Sequence, residues 1–249
     1  MFEEPFRWME AISTRHSYVQ EKLRKGQPVL AVPYQHGAVV LGFTQQPGKV
    51  FEIYDRIALG GLGHPADVER LRMNLLDMAH LEGFNRSEKD VNIARMLQFG
   101  IAPALKQNFE EVQRAPYLVK LLFAEINFDN KPQFIRLNYD GHWEMFDKGS
   151  VISGNDQEME WIQSEIEKTD FASMPLDKAL SEACRVWEEG KKQGNKEEDP
   201  ESDDPVIDLK EAFSKWQFEA AVLATDTSRK SLYRMVTSEE VDRLKTAIN

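Results

Sequence analysis

The chain has 249 residues, a formal net charge of −11, 41% hydrophobic residues and a single cysteine. That length gives one large domain or two small ones, with a core of ordinary size. An acidic chain lacks the positive face that phosphates require, which excludes a general nucleic-acid binder.

No apolar run is long enough to cross a bilayer, and Met1-Phe2-Glu3-Glu4-Pro5-Phe6 lacks the basic and apolar regions of an export signal. Cys184 alone builds no disulfide framework and fits a reducing compartment. The expectation is a cytoplasmic globular protein without a membrane or nucleic-acid partner.

Residues 6–25 predict an amphipathic helix, with Phe6, Met9, Ile12, Val19 and Leu23 at three- and four-residue steps and Gly26 as its stop. Short apolar runs over 29–34 and 38–43 predict buried strands. Pro47-Gly48 then turns the chain and delivers Lys49 to a further strand pair over 50–54 and 57–62. Lys49 is expected at a sheet edge or rim. A helix follows from near Asp67 to Gly83. Another spans Ser87 to Phe109, with a kink or break expected at Pro103.

Strands return over 117–127, 133–139, 142–146 and 150–153, with Asp140-Gly141 as a hairpin signal. Met159, Ile162 and Ile166 mark a helix, and 175–189 predicts the next. Residues 190–205 carry many charges and no large apolar side chain, so a flexible loop is expected there. Strands over 218–225 and 231–236 precede a last helix, where Thr237 and Glu240 have capping-box spacing. Strands and helices in blocks, rather than in βαβ alternation, point to α+β: two largely antiparallel sheets packed together with helix pairs outside.

Most catalytic and metal-binding patterns are missing. No phosphate-binding Gly-Lys loop is present, and Gly60-Gly61-Leu62-Gly63 lacks dinucleotide spacing. The histidines His16, His36, His64, His80 and His142 are scattered, so neither a metal nor a cofactor is expected. Cys184 lies on an apolar helical face and reads as core.

The order of elements resembles the α subunit of the proteasome core particle, in its bacterial, actinobacterial-type form. The stretches that carry the resemblance are 26–32 after the first helix, Lys49-Val-Phe-Glu-Ile-Tyr-Asp-Arg over 49–56, Lys89-Asp-Val, Ala124-Glu125, Asn138-Tyr139-Asp140-Gly141 and Ser153-Gly154. It runs from about Phe6 to the final helix. It implies a single domain over 1–249 with the four-layer α-β-β-α sandwich of N-terminal-nucleophile hydrolases, plus an extra N-terminal helix. It further implies a homo-heptameric α ring stacked on β subunits, through which unfolded protein substrates pass.

A catalytic β subunit attacks with an N-terminal threonine at the start of its first strand. Here that strand begins near Gln27-Pro28, and Ser13, Thr14 and Ser17 lie within the preceding helix. The resemblance therefore implies a non-catalytic chain with no catalytic residue of its own. Lys49 matches the β-subunit catalytic lysine in position. In the α family it implies a site for the C-terminal carboxylate of an ATPase or other ring activator. A gate segment over 1–25 would use Phe2, Pro5 and Phe6 to close a pore. A self-processing peptidase of the same fold family, or a standalone sandwich that binds without a ring, remain alternatives.

Overall fold

The computed structural model describes residues 4–45, 48–198 and 208–248. Helix α1 spans Glu4–Leu23, and strands β1 Val29–Tyr34, β2 Gly37–Thr44, β3 Val50–Tyr54 and β4 Ile57–Gly63 follow. The first helical layer contains α2 Pro65–Asn85, the short α3 Ile93–Met96 and α4 Ala102–Glu110. Strands β5 Val119–Ile126, β6 Pro132–Asn138, β7 Trp143–Phe146 and β8 Ser150–Ile152 come next. The second layer holds α5 Asp156–Lys168, α6 Leu176–Glu198, α7 Leu209–Lys215 and α8 Ser238–Ile248, with β9 Gln217–Ala224 and β10 Tyr233–Met235 between the last two helices.

Two five-stranded sheets result, ordered β10-β9-β2-β1-β8 and β3-β4-β5-β6-β7. Their recorded pairings are antiparallel. The pleat sorts side chains between layers. In β1, Leu30, Val32 and Tyr34 face the layer of α5, α6 and α8, whereas Val29 and Ala31 face the other sheet. In β5, Leu121 and Phe123 face α2–α4, whereas Leu122 and Ala124 face inward between the sheets. Burial on both faces explains why these strands read as continuous apolar runs. The architecture is the expected four-layer α-β-β-α sandwich.

Helix α1 belongs to neither outer layer. Its Val19 and Leu23 enter the core between the sheets, at 0% and 2% exposure. His16 Nδ1 lies 3.0 Å from the Tyr139 hydroxyl, and Arg15 donates to the Asn108 carbonyl at 3.0 Å. The segment ahead of β1 is thus packed into the body of the protein.

The expected break near Pro103 occurs as a π-helical turn over Leu97–Ile101. The Ala102 N–H reaches back to the Leu97 carbonyl, five residues away, just before the proline that has no N–H to offer. At α8 the capping box closes in both directions. Thr237 N–H donates to Glu240 at 2.8 Å and Glu240 N–H donates to Thr237 Oγ1 at 3.3 Å.

Two expectations are corrected. The helix expected from Ser87 begins only at Ile93, because a 3-10 turn over Glu88–Asp90 and extended backbone at Val91 and Asn92 precede it. Residues 190–198 do not belong to a loop, because α6 continues to Glu198. A Cβ on Gly190 would overlap the Ile162 side chain, and one on Gly194 would sit 3.0 Å from Glu158 Cβ. Two glycines one helical turn apart let α6 lie directly on α5. The rest of the expected loop, from 199 to 205, lies outside the described residues. So do Pro47 of the turn and Phe2 of the expected gate. Pro5 and Phe6 fall in the first turn of α1.

Candidate functional site

Gly48 has φ +100°, a left-handed conformation that suits glycine, and it turns the chain into β3. This places Lys49 at the open end of the sandwich, where β1 also begins. The Lys49 stem lies over Gly42: a Cβ there would be in ordinary contact with Lys49 Cδ at 3.5 Å and closer to the Pro28 carbonyl, at 3.1 Å. Lys49 Nζ donates to the Gln27 carbonyl at 2.5 Å and to the Phe43 carbonyl at 3.0 Å.

Lys49 leads into β3, an edge strand of its sheet, as expected, yet it is only 8% exposed. The neighbouring strands β2 and β9 fold over it. Burial lowers its pKa to about 7, because desolvation penalises the ammonium. Glu219 and Glu158 oppose that shift, and Lys191 adds to it.

Both acids are buried. The Glu219 carboxylate, on β9, accepts the backbone N–H groups of Gly48, Lys49 and Val50 at 2.9, 2.8 and 3.1 Å. Glu158, in the first turn of α5, accepts from the Ser153 hydroxyl and lies 3.3 Å from Lys191 Nζ of α6. Burial pushes the Glu158 carboxyl above its ordinary range. Lys120 of β5 donates to the Ser153 carbonyl at 2.9 Å and lies 3.4 Å from Asp156. A seam of buried charge therefore joins the turn before β3, the start of β1, and the layer of α5 and α6.

Of the residues expected to form a site, Phe2, Pro5, Phe6 and Lys49, the structure describes the side-chain surroundings of Lys49 alone. It adds Glu219, Glu158 and Lys191 beside it. Glu158 had a signal: it falls on the row of Ile162 and Ile166 at four-residue steps, where an apolar residue belongs. Glu219 likewise interrupts the inward face of an apolar strand. Lys191 was hidden in the segment taken as loop.

Lys49 Nζ is thus held by two backbone carbonyl oxygens. A family model described as Proteasome subunit matches residues 23–198, from the end of α1 through α6. This chain belongs to the proteasome subunit family. Among similar curated proteins, the Proteasome subunit alpha of Saccharomonospora viridis is 30% identical over 192 residues, covering 75% of this chain and 74% of that one. The Proteasome subunit alpha of Streptomyces scabiei is 27% identical over 241 residues, covering 96% and 90%. Within the proteasome family the likeness is thus to α-type subunits of actinobacteria, and the second alignment takes in nearly the whole chain.

Proposed function

We propose that this chain is a non-catalytic α-type subunit, one domain over 1–249, that forms the outer homo-heptameric ring of a cytoplasmic bacterial proteasome core particle. It stacks on β subunits, gates the access of unfolded protein substrates, and docks a ring-shaped activator through Lys49. The observation that carries the non-catalytic reading is the start of β1. Gln27 and Pro28 stand where a peptidase of this fold needs a terminal hydroxyl or thiol, and α1 ahead of them is packed into the core by Val19 and Leu23. A lysine without a nucleophile runs no acyl transfer.

Two features of Lys49 support the docking role. An ammonium has three N–H groups and two are used on Gln27 and Phe43, so one remains for a carboxylate. A carboxylate brought beside a desolvated amine also favours its charged form, so docking and protonation of Lys49 reinforce each other. The gate is assigned to Phe2, Pro5 and Phe6 because Pro5 and Phe6 open a helix, α1, whose far end leads to the Lys49 site.

Co-expression with a proteasome β subunit followed by electron microscopy tests the assembly. Seven-fold α rings capping β rings are expected, and a chain that stays monomeric beside its β partner overturns the ring. For docking, the ratio of activator-stimulated to unstimulated peptide cleavage is compared between wild type and Lys49→Ala. The ratio falls to about one in the variant if Lys49 holds the activator tail, and an unchanged ratio refutes that role.

A further inference from the structure

Glu219 connects the two sheets at the one place where the candidate site needs a fixed backbone. It lies on β9 opposite Gly42 of β2, on the face that carries Ala221 and Leu223 between the sheets. It is 5% exposed. From the first sheet it reaches across to the start of β3 in the second, and both of its oxygens are engaged by the N–H groups of residues 48–50.

Where the turn enters β3, the Lys49 carbonyl accepts the Gly61 N–H of β4 at 2.8 Å, while the N–H groups of residues 48–50 go to Glu219. A buried carboxylate on three consecutive N–H groups is a strong, charge-assisted clamp. We propose that Glu219 is the positioning residue of the Lys49 site: it fixes the Gly48–Val50 backbone so that the lysine stem passes over Gly42, and it supplies a buried counter-charge to the ammonium. This inference rests on the reading of Lys49 as the docking residue.

A cradle of three N–H groups is also what an incoming chain terminus would seek. The bonds from Lys49 and Val50 are buried, however, and Glu219 fills the cradle from inside the fold. The observations thus favour a fixed clamp over an internal mimic of the activator tail.

The charged groups facing Lys49 are Glu219 from β9, Glu158 from α5 and Lys191 from α6. Changing Glu219 alone leaves the other two in place, so its effect on Lys49 can be isolated. The probe is acetic anhydride at trace level, applied to the full-length protein across a range of pH, with labelling of each lysine read by peptide mass spectrometry.

In Glu219→Gln, Lys49 is expected to label faster, with its titration midpoint lower by on the order of one pH unit. Glu219→Asp, which keeps the charge on a shorter arm, is expected to restore the midpoint while labelling stays faster than in wild type. Unchanged labelling in Glu219→Gln overturns the proposal. Faster labelling with an unmoved midpoint also overturns it, because a plain structural prop would do that. Should Glu219→Gln not fold, Glu219→Met, which also removes the charge, decides by the same two readings: faster labelling of Lys49 with a lower midpoint upholds the proposal, and the absence of either overturns it. The stimulation ratio of Lys49→Ala is a separate measurement. An unchanged ratio removes the docking role and this inference with it, whereas a lost ratio with unaltered Lys49 labelling in both Glu219 variants removes only the inference.

Discussion

Lys49 Nζ donates to the carbonyl of Gln27 at 2.5 Å, which ties the turn before β3 to the residue that leads into β1. Gln27 stands four residues beyond the end of α1. The same ammonium also holds the Phe43 carbonyl at the end of β2. One buried cation thus gathers three chain segments at the end of the sandwich where a hydrolase of this fold keeps its nucleophile.

That burial sets a pH dependence. The pKa of Lys49 is about 7 in the fold, lowered from 10.5 by desolvation. Between those values the unfolded chain binds a proton that the folded chain does not, so this group adds stability as pH rises from about 7 toward 10. Lys49→Met keeps the stem and removes the titration. Urea denaturation of the subunit at several pH values should show wild type gaining on Lys49→Met by up to about 1.4 kcal/mol per pH unit above pH 7. Parallel curves over that range would mean that Lys49 titrates as an exposed lysine.

The helical extension of α6 makes a second prediction. In an exposed helix Gly→Ala adds up to about 1 kcal/mol of stability. At Gly190 the added methyl meets the Ile162 side chain, itself fully buried. Gly190→Ala is therefore expected to destabilise by about 1–3 kcal/mol through overpacking. Chemical denaturation reads the sign directly, and stabilisation would place this segment off α5.

Much of the fold was legible in the sequence. The boundaries of β1 and β3 follow directly from apolar runs bounded by turn residues, and the block order of strands and helices gave the layers. The break before Pro103 was readable because proline removes a specific donor. What could not be read were features set by contacts between distant segments. Residues 190–198 carry charge and glycine, as loops do, yet here glycine permits close helix packing and Lys191 meets Glu158. Lys49 was legible as a position but not as a buried group, since its cover is supplied by β2 and β9. Glu219 lies 170 residues from Lys49 along the chain, and nothing local announces that its carboxylate caps a turn in the other sheet.

Leu23 tests how firmly α1 is built in. It is 2% exposed in the core between the sheets, beside Val29 and Leu62. Truncation to alanine removes apolar contacts and leaves a cavity, and Leu23→Ala should cost about 2–5 kcal/mol. Thermal or urea unfolding of the subunit measures it. A loss well under 1 kcal/mol would mean that α1 is a detachable appendage, which would revive a chain processed ahead of β1.

A third buried acid, Glu125 of β5, points the opposite way in pH from Lys49. It is 3% exposed, and its Oε2 accepts the Ile93 N–H at 3.3 Å at the start of α3. Desolvation raises its pKa to about 7, against the opposing pull of the Ile93 N–H and of Arg56. The unfolded carboxyl ionises near pH 4.5, so from there to about 7 the folded chain retains a proton that the unfolded chain releases. Stability from this group is therefore full below about pH 4.5 and falls as pH rises through 7. Glu125→Gln keeps an acceptor for Ile93 and cannot ionise. At pH 8 it should be more stable than wild type by roughly 1–3 kcal/mol, with the two converging near pH 5. A variant less stable than wild type at pH 8 would show that the ionised carboxylate is held by the fold, with Arg56 as the partner to change next.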